Sequence, residues 1–287
     1  VRPHTLAVLA DLDGRGLRNH VLVITRHQMK AADIGRLNQL VNLKVTLLFT
    51  YSGIDDTRIE PYPSAVAAAS LTLMSAPARR RYRTILYWRP LVPGLNDTDG
   101  HLERARGLSR LADATVFTGL FYRDQIAAYY RDSGLPEPYE ATARRKIVPE
   151  TLERRVLAAF AGSASLFRKT SCAVSYAHGL PDYNGHFGIG ELCDICPAIQ
   201  VSRCRSAHRV PSASQVYQAA RRLPEAAGMQ MEGISERAAI VSGLADEQPR
   251  YYLQHALGFQ IHDARHPHHA RRHGRADIGW KDTPGDD

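Results

Sequence analysis

The first 171 residues of this 287-residue chain contain no cysteine, and all four cysteines fall between positions 172 and 204. Such a set is too sparse and too local for a disulfide framework, and clustered thiols point to metal instead. Long apolar runs are also missing. No stretch approaches the roughly 18 consecutive apolar residues that would span a bilayer, so no membrane partner is expected. The opening, Val1-Arg2-Pro3-His4, lacks the charged-then-apolar order of a signal peptide. We therefore expect a cytoplasmic protein. There is no internal repeat, which excludes solenoid arrays. What the chain has in excess is positive charge: 37 Lys and Arg against 29 Asp and Glu give +8. A basic balance suits nucleic acid or another polyanion. The arginines are scattered, however, and a solvated basic surface accounts for them equally.

Up to about residue 130 the chain alternates apolar runs with helical stretches. Strands are expected at His20–Arg26, Leu43–Thr50, Thr84–Pro90 and Ala114–Leu120. Helices are expected at Ala31–Leu40, Ser64–Leu73 and Asp99–Leu111. Near-continuous apolar strands separated by helices indicate a parallel sheet covered by helices. Polar residues at strand C-terminal ends are then ligand candidates: Thr25-Arg26, Thr50-Tyr51-Ser52-Gly53, and Arg89-Pro90 with Pro93-Gly94-Leu95-Asn96-Asp97. Gly134–Pro138 reads as a linker, Pro149–Phe167 as a helix, and Ser212–Arg222 as a helix with a Ser cap. Met231–Val241 is compatible with a strand or an irregular segment. Thr283–Asp287 is expected to be disordered.

The cysteines follow the pattern Cys172-x20-Cys193-x2-Cys196-x7-Cys204, with Pro197 after the third. Two residues between thiolates let one tight loop present both to a shared ion or cluster, and the other two close the coordination from neighbouring segments. Four soft sulfur donors accept either a [4Fe–4S] cluster or Zn²⁺. The single CxxC and the proline favour iron, zinc is the alternative, and unliganded thiols remain a third reading. Between the first two cysteines, Tyr176–Gly190 is rich in Gly and carries His178 and His186. It is expected to wrap the metal as an irregular loop. Either histidine could replace a ligand or face a substrate, although such a residue more often bonds backbone. Further on, His262–Arg275 packs five His and four Arg into fourteen residues. Nucleic-acid or phosphate contact suits it better than metal, because arginines exceed what a metal site needs.

The strand order, the Y-S-G-I-D turn (Tyr51–Asp55), the R-P-L-V-P-G-L-N-D turn (Arg89–Asp97) and the trailing cysteine cluster resemble the radical SAM superfamily, in its spore photoproduct lyase-like branch. The resemblance implies an α/β fold: a partial parallel (β/α) barrel, its N-terminal part missing, over residues 1–135. A helical connection and four-cysteine module over 136–210 and a C-terminal region over 211–287 would follow. It implies an auxiliary [4Fe–4S] cluster on Cys172, Cys193, Cys196 and Cys204, and S-adenosylmethionine contacted by Ser52, Arg89 and Asn96. The family's CxxxCxxC motif and its Gly-Gly-Glu turn are absent. On this reading the chain does not cleave S-adenosylmethionine by itself, and a truncation or a partner chain carrying the motif is expected.

Overall fold

The computed structural model describes residues 2–142, 146–162 and 165–265. It divides into two compact units, Val1–Leu166 and Phe167–Asp287. The first unit runs α1 (Arg2–Gly14), β1 (His20–Thr25), α2 (Ala31–Asn38), β2 (Lys44–Tyr51), α3 (Ser64–Ser75), β3 (Arg83–Leu91), α4 (Asp99–Ser109), β4 (Ala114–Phe121), α5 (Asp124–Asp132), β5 (Lys146–Ile147) and α6 (Glu150–Phe160). A two-residue strand, β6 (Leu166–Phe167), lies at the junction.

Strands β1 to β4 are parallel and stand in chain order, and β5 adds to β4 in the antiparallel sense. The expected α/β pattern of parallel strands and alternating helices is therefore present. The order of β1 to β4 never reverses, so all four C-terminal ends share one rim. The register puts Val23, Leu47, Leu86, Trp88, Thr115 and Phe117 on one face. Helices cover that face: Ser75 meets Thr84 at 3.0 Å, Ser109 meets Thr115 at 2.6 Å, and Phe160 stacks on Trp88 at 5.5 Å between centroids. Leu86, Trp88 and Phe117 are fully buried, each stabilising the fold by about 1.5–3 kcal/mol. At the opposite rim Asp13 accepts backbone N–H groups of Val41, Asn42 and Leu43 at 3.0, 2.7 and 2.8 Å. Its burial works against ionisation, but these donors and Arg81 more than offset that and hold the carboxyl below its ordinary pKa.

The second unit runs α7 (Thr170–Ala177), α8 (Gly190–Cys193), α9 (Ala198–Ala207), α10 (Ala213–Ala220), β7 (Gln230–Ile234), β8 (Ala238–Ser242), α11 (Glu247–Leu257) and β9 (Gln260–Asp263). Strand β8 pairs antiparallel with β7 and parallel with β9. Val216, Val241, Leu253, Phe259 and Ile261 form its core. Ser212 and Gln215 make a capping box that starts α10.

The largest departure from an expected helix boundary is at α6. The helix expected over Pro149–Phe167 stops at Phe160, because Ala161 leaves the helical region and Gly162 takes φ +67°. The cysteine module also shares one unit with the C-terminal region. Gln254 donates to Asn184 Oδ1 at 2.7 Å and Gln260 donates to the Asn184 carbonyl, which straps the cysteine loop to α11 and β9. Among the described residues no helix is long and apolar enough to cross a membrane. Most of the His/Arg-rich segment, from His266 onward, and the expected disorder at Thr283–Asp287 lie outside the described residues.

Candidate metal centre and strand-end cavities

The second unit gathers the four cysteines around one small buried cavity, which Asp182, His186 and Gln200 also line. Cys172 sits on α7, Cys193 ends α8, Cys196 lies in the following turn, and Cys204 is on α9. The turn is short because Pro197 caps α9. That gives the proline a local structural reason in addition to any preference of the metal. Asp194, inside the CxxC loop, pairs with the buried guanidinium of Arg168, which holds the loop in place.

Cys172 and Cys204 are buried, and Cys193 and Cys196 are half-buried. Burial raises the pKa of all four, Cys172 well above the ordinary value and Cys196 to about 12. The charges of Asp182 and of the neighbouring cysteines add to the rise at Cys172 and Cys196. Two N–H groups approach Cys204 Sγ at 3.4 Å, the backbone of Asp182 and the Gln200 carboxamide. Such donors favour the ionised sulfur.

Asp182 and His186 complete the cavity. Asp182 Oδ2 accepts from the His186 backbone N–H at 2.9 Å and from Nδ1 at 3.0 Å. This assigns the Nδ1 proton to the histidine, because an ionised carboxylate can only accept. Nδ1 also lies 3.2 Å from Ser171 Oγ and 4.0 Å from Cys172 Sγ. Asp182 is deeply buried, which opposes its charge, yet the bonds from His186 hold its pKa below the ordinary value. Its other oxygen, Oδ1, is buried with no hydrogen-bond partner among the described residues. Cys172, Asp182 and His186 are the one group of at least three His, Cys, Asp or Glu residues, among those described, whose donor atoms all lie within 4.8 Å of one another. Of the two histidines considered from the sequence, His186 lines the cavity, and His178 instead closes α7 as its C-cap. Asp182 was not singled out in the sequence. Its spacing of four from His186 carries no signal in an irregular loop.

No family model, no curated protein and no solved structure matches this chain.

The first unit carries two cavities at the C-terminal rim of its sheet, of about 350 and 490 Å³. Arg26 and Arg89 line both. The smaller is walled by Leu6 and Leu9 of α1 and includes Thr25 and Thr50, and the larger includes Glu60, Gln125 and Lys146. Ser52 and Asn96 line neither. Ser52 Oγ meets Ser64 Oγ at 3.1 Å and accepts the Ile54 N–H at 3.2 Å. Asn96 is fully buried. Its Oδ1 accepts from Val92 N at 2.8 Å, and its Nδ2 donates to the carbonyls of Ser52 at 2.6 Å and Pro90 at 2.8 Å. Asn96 thus ties the turn after β2 to the turn after β3. Of the strand-end residues drawn from the resemblance, Arg89 alone faces a cavity.

Proposed function

We propose that this chain is an iron–sulfur protein of radical SAM type, in which Cys172, Cys193, Cys196 and Cys204 hold an auxiliary [4Fe–4S] cluster. The observation that carries the reading is the convergence of all four thiols, and no other cysteine, on one buried cavity. The donor set fits: four soft sulfurs, with two N–H donors aimed at Cys204. When bound, such a cluster supplies one-electron transfer at a potential set by burial and N–H···S bonds. This chain's residues bury Cys172 and Cys204, donate to the Cys204 sulfur, and fix the CxxC loop through Arg168 and Asp194.

The first unit would be the later part of a partial barrel, in a cytoplasmic protein. The S-adenosylmethionine role of Ser52, Arg89 and Asn96 rests on the resemblance alone. CxxxCxxC is absent from this chain. A partner chain or a further segment would have to supply that motif. A second reading, a zinc-stabilised nucleic-acid-binding module, is favoured by the net charge of +8. Anaerobic reconstitution with iron and sulfide, followed by reduction and electron paramagnetic resonance, separates the two. The cluster reading expects visible absorbance that bleaches on reduction and a signal lost in Cys196→Ser. A colourless protein that retains only zinc contradicts it.

A further inference from the structure

The larger strand-end cavity has a charge pattern that the cluster reading does not use. Three cations line it, Arg26 after β1, Arg89 on β3 and Lys146 on β5, against one carboxylate, Glu60. Arg26 and Glu60 neutralise each other as an ion pair. Arg89 has no carboxylate partner among the described residues. Its guanidinium lies 4.6 Å over the Tyr87 ring and donates to the Tyr87 hydroxyl at 3.2 Å. Lys146 is half-buried and has no hydrogen-bonded or ion-paired side-chain partner among the described residues. Pairing of Lys146 with Phe121 brings it to the end of β4, so this two-residue strand delivers a cation to the rim. Burial presses the Lys146 pKa down, Tyr87 opposes this, and the neighbouring charge of Arg89 adds to the lowering. Two neighbouring half-buried cations with no carboxylate partner among the described residues favour an anion between them. Around them the wall is apolar and aromatic: Ile54, Leu120, Phe121, Ile126 and Tyr130. The volume, about 490 Å³, is that of a small-molecule site.

We propose that this cavity binds a phosphate monoester with an apolar or aromatic body, the dianionic head held between Arg89 and Lys146. Arg89 offers a fork of donors to phosphate oxygens and Lys146 a point charge. This assignment of Arg89 replaces the S-adenosylmethionine contact that the resemblance implies for it, because the single carboxylate of that molecule is outweighed by an ammonium and a sulfonium. The proposal lies wholly in the first unit and is independent of the cluster reading, so either can fail alone.

The test is calorimetric titration of the full chain with phenyl phosphate, inorganic phosphate, benzoate and S-adenosylmethionine. Phenyl phosphate should bind saturably, tighter than inorganic phosphate or benzoate. Lys146→Met and Arg89→Met should each weaken it by about tenfold or more. Lys146→Arg should restore most of the affinity, which a purely structural role for Lys146 would not explain. Circular dichroism of each variant checks folding, and if Arg89→Met is unfolded the Lys146 pair decides. No saturable binding of phenyl phosphate, equal binding by Lys146→Met, or Lys146-dependent binding of S-adenosylmethionine alone would each overturn the proposal.

Discussion

At the scale of single residues, buried polar groups do the most specific work. Asn96 spends its whole carboxamide on three backbone partners. Asn96→Ala leaves those groups unpaired in a buried site and should cost about 2–4 kcal/mol, read as a lower thermal midpoint with strand content retained. The turn motif around Asn96 was visible in the sequence, but its direction was not: a buried Asn at a strand end can face a ligand or its own backbone. Lys146 gave no signal at all, since two residues of strand leave no periodicity. The thiols make a prediction about pH. Burial raises their pKa, so without metal they stay protonated at neutral pH and metal entry must release protons. Metal affinity should therefore rise with pH, by up to about tenfold per pH unit for each proton released. Competition titrations between about pH 6 and about pH 9 would measure this. A flat profile would show that the thiols are not the ligands.

At the scale of elements, glycine marks where the cysteine loop meets its support. Gly185 takes φ +70°, and a Cβ there would stand 2.5 Å from the Phe259 backbone. Gly185→Ala should destabilise the second unit by about 3 kcal/mol or more and lower its iron content after reconstitution. Wild-type stability and loading in that variant would show that the loop does not lean on β9. Strands β1 to β4 were legible because each is a near-continuous apolar run, and observed ends fall within a residue or two of those expected. Helix α5 and strand β5 were not, having nine and two residues, too few to carry a clear period. The Met231–Val241 segment was ambiguous for the same reason: β7 and β8 have five residues each, and much of that hairpin is only partly buried.

At the scale of the whole molecule, the division into Val1–Leu166 and Phe167–Asp287 separates the cavities of the sheet from the cysteine centre. It was hidden in the sequence, because the contacts that join the cysteine loop to α11 and β9 run between Asn184 and residues 70 and 76 positions away. A bound cluster stabilises the unit that holds it. Removing it should speed hydrogen exchange across residues 167–265 and leave β2 and β3 protected. Uniform loss of protection would contradict that separation. The charge of +8 carries a further expectation for the nucleic-acid reading: any binding to a random-sequence duplex should fall linearly in log affinity with log salt. Anisotropy titrations at several salt concentrations would show it, and salt-independent binding would not fit a phosphate-contacting surface.

The central claim is that four sulfurs converge on one inorganic centre, and elemental analysis addresses it most directly. Full-length protein, purified without oxygen, should contain about four iron and four acid-labile sulfide per chain, falling steeply in Cys172→Ser or Cys193→Ser. One zinc per chain with neither iron nor sulfide, before and after reconstitution, would contradict the cluster. No metal at all under both conditions would contradict the centre itself.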